Sequence, residues 1–303
     1  MKNLIVLLFV ILATTAHSQT IKLENYVYSD TDKNIVLKNN LGYYHGLTKK
    51  ITVGVSYGFH GVYNNNNYIY NRIGGKLEYN GLFEDNGNLF TIEYYQLFSP
   101  IHENQSTYKL NYLFNNFNRI KFNIFSERDI VDVITAIDEG FTFMINGMTA
   151  DFIVIEDRLT LTTGYANQQI QNIPEDVERD IYYINGDLRI FKNAGVSVNN
   201  RIVRSDENSI YFFQPNIFDK HLIGVYNTFL LNDENIVIRP TLSIGLQNLN
   251  GNRQHIFESK VVLRGWINDR FGFNFNAGYS NAVHDFGTYG YFMGNLTLQY
   301  KLN

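Results

Sequence analysis

Ten basic side chains stand on alternate positions of segments in which the residues between them are largely apolar. They are Arg72, Lys76, Lys109, Lys121, Arg158, Arg189, Arg201, Arg239, Lys260 and Arg264. Four acidic residues follow the same alternation, Glu78, Glu93, Asp187 and Glu258, in a chain whose overall charge is −4. A basic surface around water favours anions and repels cations. We expect eight of the ten basic residues, all except Lys109 and Lys121, to set this preference for anions. The alternative is that the charges pair across the lumen into a rigid network.

Two further groups of residues could act on a solute in the same space. Tyr95 and Tyr183 offer aromatic faces on which a sugar ring could stack. The segment 126–140, SERDIVDVITAIDEG, places apolar residues at helical spacing behind Ser126 and Asp129, which could cap a helix. This predicts a short helix in a constriction loop that carries Arg128, Asp129 and Asp132. The alternatives are a cap on the outside or an extended strand end.

Enzyme chemistry has little support in the sequence. None of the six histidines after residue 18 has the spacing of a metal site, and no nucleophile elbow or phosphate-binding glycine loop is present. The absence of cysteine excludes thiolate metal sites and cysteine nucleophiles. Ser280 and His284 remain as a candidate pair for a lipid-modifying enzyme. We expect no catalytic residue, metal or cofactor, and no basic run indicates a nucleic-acid partner.

The first 18 residues have the pattern of a secretory signal peptide. A lone charge at Lys2 precedes an apolar run from Leu4 to Ala13, and small residues precede a cleavage position after Ser18. The apolar run is too short to span a membrane. We therefore expect an exported mature chain of residues 19–303.

The elements that must position these side chains are long amphipathic strands. In residues 270–280, RFGFNFNAGYS, aromatic residues alternate with glycine and asparagine, and residues 51–61 and 235–247 repeat this period. A strand between lipid and water needs this alternation. Strands in soluble sandwiches are typically about 5–6 residues long, whereas crossing a bilayer takes about 9–11.

The polar breaks between these strands predict a closed barrel. Seven short breaks occur at 47–50, 84–87, 115–118, 156–158, 192–195, 232–235 and 268–270. Longer polar gaps lie between them, among them 64–67, 99–106, 171–178, 204–216 and 281–287. Seven turns and eight loops make fifteen connections, which predicts an all-β, antiparallel up-and-down transmembrane barrel of about 16 strands. Its partners would be outer-membrane lipid and the barrel-insertion machinery, which would read the amphipathic last strand.

Three segments resemble the C-terminal barrels of bacterial exopolysaccharide exporters of the cellulose and poly-N-acetylglucosamine type. They are residues 127–141, ERDIVDVITAIDEGF, residues 210–226, IYFFQPNIFDKHLIGVY, and residues 278–302 at the end of the chain. The resemblance implies a sixteen-stranded conduit for a sugar polymer. Those exporters carry a helical repeat region before the barrel, and no repeat of that kind fits this sequence. A separate periplasmic scaffold protein would then be a partner.

Three functions follow from these patterns. The first is a channel of the bacterial outer membrane that exports or passes a solute, an anionic or carbohydrate polymer, through a basic lumen. The second is a barrel that does not transport and acts as a surface receptor, adhesin or scaffold. The third is the lipid-modifying enzyme of Ser280 and His284.

Overall fold

The computed structural model describes residues 18–64, 67–81, 87–99, 103–117, 119–132, 136–137, 139–172, 177–205, 215–232, 235–283 and 289–302. Residues 1–17 lie outside this set, so the signal peptide and its boundary stay predictions.

Strands make up nearly all of the described chain. They are β1 (Ser18–Asp30), β2 (Ile35–Gly46), β3 (Ile51–Tyr63), β4 (Asn67–Asn80), β5 (Leu89–Phe98), β6 (Gln105–Phe117), β7 (Ile120–Ile130), β8 (Thr142–Ile155), β9 (Leu159–Gln171), β10 (Glu178–Arg189), β11 (Ala194–Ser205), β12 (Ile217–Asn227), β13 (Phe229–Leu231), β14 (Ile236–Leu249), β15 (Asn252–Trp266), β16 (Phe271–Val283) and β17 (Tyr289–Lys301). Apart from the three-residue β13, each is long enough to cross a bilayer at a tilt.

The strands form one closed antiparallel barrel. Each strand pairs with its neighbours in the sequence, and β1 pairs with both β2 and β17, so that the sheet has no free edge. β12 and β13 both pair with β14 and are separated only by Thr228, so together they make one crossing. The seventeen segments therefore make sixteen crossings, which confirms the predicted fold and strand number.

The alternation read from the sequence assigns the two faces of the barrel correctly. On β14 the side chains of Leu242 and Ile244 point outward and are 56% and 69% exposed. On β3 Val55 and Tyr57 are 60% and 58% exposed. The residues between them point inward. The exposed apolar side chains form a belt around the barrel, as lipid requires. No helix in the described residues is long and apolar enough to cross a membrane.

The connections distinguish two ends of the barrel. The turn end carries the start of β1, the end of β17 and the connections 47–50, 81–88, 118–119, 156–158, 190–193, 232–235 and 267–270. The loop end carries the two longest connections, residues 131–141 and 206–216. One loop-end connection is short, because Asn250 and Gly251 both adopt positive φ and close a two-residue hairpin between β14 and β15. In outer-membrane barrels the longer loops face outward from the cell.

Replacing Leu242 by arginine tests the lipid belt. An arginine on the lipid-facing side should lower the free energy of unfolding by about 2–4 kcal/mol. The measurement is urea unfolding of the barrel reconstituted in phospholipid vesicles. The matched control is Thr241→Arg, on the inward face of the same strand. Equal losses for the two variants would contradict the assignment of faces.

Candidate functional site

The inward face of strands β4 to β7 carries a ladder of alternating charge. Lys76 pairs in register with Glu93, Glu93 with Lys109, and Lys109 with Glu127. The Lys76 ammonium lies 2.9 Å from carboxylate oxygens of both Glu78 and Glu93, and Lys109 lies 3.4 Å from Glu127. Cross-strand pairs of opposite charge stabilise a sheet, and in a partly buried lumen they also limit the desolvation cost of each charge. These charges neutralise one another.

On the opposite wall the basic charge is only partly compensated. Arg239 forms an ion pair with Asp187 and stacks on Tyr226 at 3.6 Å, and the Tyr226 hydroxyl donates to Asp187 at 2.6 Å. By contrast, Lys260 and Arg264 point inward from β15, are exposed, and have no acidic partner within ion-pair distance in the described chain. Lys260 and Arg264 therefore give the β15 wall two uncompensated positive charges.

Most of the predicted selectivity residues lie on the lumen wall, with one correction. Arg72, Lys76, Arg201, Arg239, Lys260 and Arg264 point inward. Arg189 lies at the turn-end rim, as the last residue of β10. The assignment of Arg158 to the wall is wrong, because it lies in the exposed turn 156–158 between β8 and β9. A turn residue does not continue the alternation of the strand before it.

The lumen wall also contains charged residues that the sequence analysis missed. They are Lys22, Glu24, Lys38, Glu127, Asp151, Arg179 and Lys220. The sequence analysis missed Lys38 because Val36, which points inward two residues earlier, is apolar. Residues 35–37 therefore form an unbroken apolar run in which the two-residue alternation cannot be seen. Lys220 lies 2.8 Å from Glu258, so the inward carboxylate of Glu258 is paired with a lysine that the sequence analysis missed.

The two tyrosines with a predicted stacking role both point into the lumen, and both are partly covered. Tyr95 is 4% exposed, and the Arg72 guanidinium lies 3.7 Å from its ring centre. A Cβ at Gly74 would collide with the same ring, so glycine allows Tyr95 to lie against the wall. Tyr183 is partly buried, with the Arg201 guanidinium 5.9 Å from its ring. Sugar stacking stays a prediction for both.

The segment between β7 and β8 differs from the predicted helix. Residues 126–130 belong to β7, where the Ser126 hydroxyl donates to Asn146 on β8 at 2.6 Å, so Ser126 and Asp129 do not cap a helix. Cross-strand pairing with β8 outweighs the local capping pattern. Within the described residues only 136–137 are helical, and Val133 and Ile134 lie outside that set.

Asp129 and Asp132 attach this segment to the opposite part of the wall. The Lys38 ammonium on β2 lies 3.0 Å from Asp129 and 2.9 Å from Asp132, and His60 on β3 lies 2.6 Å from Asp132. We call these four residues the mouth lock. Arg128 borders the cavity directly beneath it. The lock joins residues far apart in the chain, since Lys38 and Asp129 are 91 positions apart.

The charge state of Asp132 keeps the mouth lock formed over the ordinary pH range. Burial by itself would raise the pKa of this carboxyl, but the Lys38 ammonium and the interactions with the neighbouring His60 ring outweigh burial and lower it. A lowered pKa in the folded state contributes stability above the unfolded value of about 3.9, which is lost as the pH falls through the folded value. The carboxylate therefore stays ionised down to acidic pH.

Apolar side chains fill the lumen at the loop end. Ile137 belongs to a buried cluster with inward residues of nine strands on both sides of the barrel, including Val62, Leu97 and Ile256, which are at most 3% exposed. Val131, Ala136 and Phe141 form a second cluster with Ile170 and Val177. Inward residues of an empty barrel would be exposed to water. Their burial means that the loop end is closed.

The turn-end half of the lumen is polar and open to water. A cavity of about 380 Å³ lies among Thr160, Thr162, Asn185, Asn199, Thr241 and Ser243, together with Arg239, Lys260 and Arg264. Another of about 370 Å³ lies beneath the mouth lock. Hydroxyl and amide groups predominate in the wall of the first cavity and are suited to hydrogen bonds with a polar solute, whereas charged side chains make up half of the wall of the second.

The structure gives no support to catalysis by Ser280. Its side chain is fully buried, and its hydroxyl accepts a hydrogen bond from the Ala282 amide at 3.1 Å. His284 lies outside the described residues. No group of three or more potential metal ligands occurs in the part of the chain that the structure covers.

Comparison with known proteins identifies the fold. No family model and no curated protein matches the sequence. The chain is similar in structure to a "Bacterial polysaccharide outer membrane secretin", with a TM-score of 0.74 and 12% identity over 94% of this chain and 98% of that one. It is also similar to Pseudomonas aeruginosa OprD, with a TM-score of 0.50 and 9% identity over 94% of each chain. The resemblance to exporter barrels thus holds at the level of fold, and this chain has the fold of the β-barrels of the bacterial outer membrane.

Proposed function

We propose that this barrel is a gated outer-membrane channel that carries a carbohydrate or anionic polymer outward. The observation that carries the proposal is the division of the lumen into a polar, water-filled turn-end half and a closed loop end. A solute that arrives from the periplasm would enter the open half without any change in the wall. It would leave only after the segment between β7 and β8 moves.

The wall chemistry supports a hydroxyl-rich solute. Threonine, serine and asparagine side chains surround the turn-end cavity, and they can exchange hydrogen bonds with sugar hydroxyls as a chain slides past. Lys260 and Arg264 add two uncompensated positive charges on the same wall. Paired charges elsewhere prevent strong trapping, because conduction needs binding that is weak enough for release. The structural similarity to a bacterial polysaccharide outer membrane secretin agrees with a polysaccharide as cargo.

The closed loop end also favours a second function, in which the barrel does not transport. A filled mouth would suit a receptor, adhesin or scaffold whose outer loops contact a partner. The two functions differ in one respect, since only a channel conducts when the mouth lock is weakened. Both of the following experiments use that difference.

Replacing Asp132 by asparagine should open the channel. The change keeps the side-chain shape but leaves Lys38 with one carboxylate and replaces the charged partner of His60 by a neutral one, which weakens the lock. We expect the open probability in a planar bilayer to rise on the order of tenfold or more. Asp30→Asn is the control, because Asp30 also lies at the loop end but its side chain bonds, within the described residues, only to the local groups of Tyr28, Asp32 and Asn34. If the wild type, Asp132→Asn and Asp30→Asn all fail to conduct, the second function, a barrel that does not transport, is the correct one.

Neutralising Lys260 and Arg264 should reduce anion selectivity. In the Asp132→Asn background, the double change to glutamine removes the uncompensated charges from the wall. The reversal potential under a salt gradient should then shift toward zero. Arg158→Gln removes the same type of charge from the exposed turn and should leave the reversal potential unchanged. A shift with Arg158→Gln alone would show that the charge of the turn, and not of the wall, sets selectivity.

A further inference from the structure

A shallow groove crosses the outer surface of the barrel over strands β11, β12, β14, β15 and β16. Its volume is about 960 Å³. The bank nearer the turn end is apolar and consists of Val198, Ile223, Ile244 and Phe257, which follow one another across the strands in register. These side chains are 37% to 69% exposed and belong to the lipid belt. The groove therefore opens toward the bilayer.

The bank nearer the loop end is polar. It contains Asn200, His221 and His255, and Asn281 closes the end of the groove. The Asn200 amide donates to the Ile184 carbonyl at 2.9 Å, which leaves its Oδ1 to accept from Nδ1 of His221 at 2.8 Å. Nε2 is then the His221 atom that can contact a ligand. Both histidines are exposed.

Basic side chains line this bank, and Arg253 carries the permanent positive charge among them. His221 and His255 are both register partners of Leu246, on the strands either side of β14, so their Cα atoms are about 10 Å apart. Arg253 lies one row nearer the loop end. Asp219, the acidic neighbour, already pairs with Arg204 and Asn248. In the described chain no carboxylate pairs with His221, His255 or Arg253.

The same level on another face of the barrel is built differently. On strands β3 to β6 the outward polar groups bond to one another: Tyr57 donates to Asn71, and the hydroxyls of Tyr94 and Ser106 both donate to Gln96. The polar groups on that part of β3 to β6 therefore already have hydrogen-bond partners, and the described residues of this row include no basic group. The groove is basic on one bank and apolar on the other, at the height where the lipid belt ends. Such a surface matches a molecule with an anionic head and an acyl chain.

We propose that the groove binds a lipid of the outer leaflet whose phosphorylated head carries net negative charge. Its acyl chain lies along Val198, Ile223, Ile244 and Phe257, and its phosphate lies over Leu246 between the two imidazoles. Arg253 supplies the positive charge on the water side. Hydrogen bonds to charged groups are the stronger ones, so the phosphate accounts for most of the selectivity. The proposal does not depend on whether the lumen conducts.

Native mass spectrometry of the purified full barrel tests this site, with bisphosphorylated lipid A and phosphatidylethanolamine as the probes. We expect one lipid A to be retained in preference to phosphatidylethanolamine. The triple variant His221→Leu, His255→Leu and Arg253→Gln should bind lipid A at least about tenfold more weakly, since two or more charge-assisted contacts are lost. The control, Asn71→Leu with Gln96→Leu, changes polar groups at the same level on the other face and should bind lipid A as the wild type does.

Three results would overturn the proposal. They are equal retention of lipid A by the triple variant and the wild type, equal binding of the two lipids by the wild type, and a dimer that forms through this face and excludes lipid. Heat-dependent electrophoretic mobility confirms that each variant is a folded barrel. The single variant His255→Leu is a milder test of the same contact. The His255 side chain makes no hydrogen bond or ion pair within the described structure, so its replacement removes only a ligand contact.

Discussion

A bilayer offers no hydrogen bonds, and this one constraint accounts for the architecture of the protein. Every backbone amide and carbonyl at membrane depth must find a partner within the protein, which a sheet achieves only by closing on itself. Here the closing contact is the pairing of β1 with β17, eleven residue pairs in register, with Tyr28 stacked on Tyr291. Once the sheet is closed, alternation follows. One face of each strand must suit lipid, and the other encloses a space.

The enclosed space is divided by chemistry rather than by a separate domain. At the loop end, inward valine, leucine and tyrosine side chains form a core with the segment that follows β7. Toward the turn end the inward residues become charged and hydroxylated, and many of the charges are paired across adjacent strands. Each pair holds two neighbouring strands in register. The same side chains that would influence a passing solute thus also stabilise the wall.

The outer architecture could be predicted from the sequence because it depends on a local pattern. In residues 271–279 the period of two is unbroken, and the faces of β16 follow from it directly. The contents of the lumen depend on contacts between distant residues, which leave no such pattern. Lys38 meets Asp129 and Asp132 only when β2 lies across the mouth from β7. The helical spacing of residues 130–137 was a real local signal, but pairing with β8 determined the structure as far as Ile130.

The mouth core has a consequence for the order in which the protein assembles. Ile137 packs with residues of β1 to β5 and also of β12, β15, β16 and β17, which are brought to the same place only when the two ends of the sheet join. The loop-end core therefore cannot form in a growing or partly inserted sheet. The closed mouth is a product of completed assembly, so a barrel that is still being built has an interior open to water from end to end.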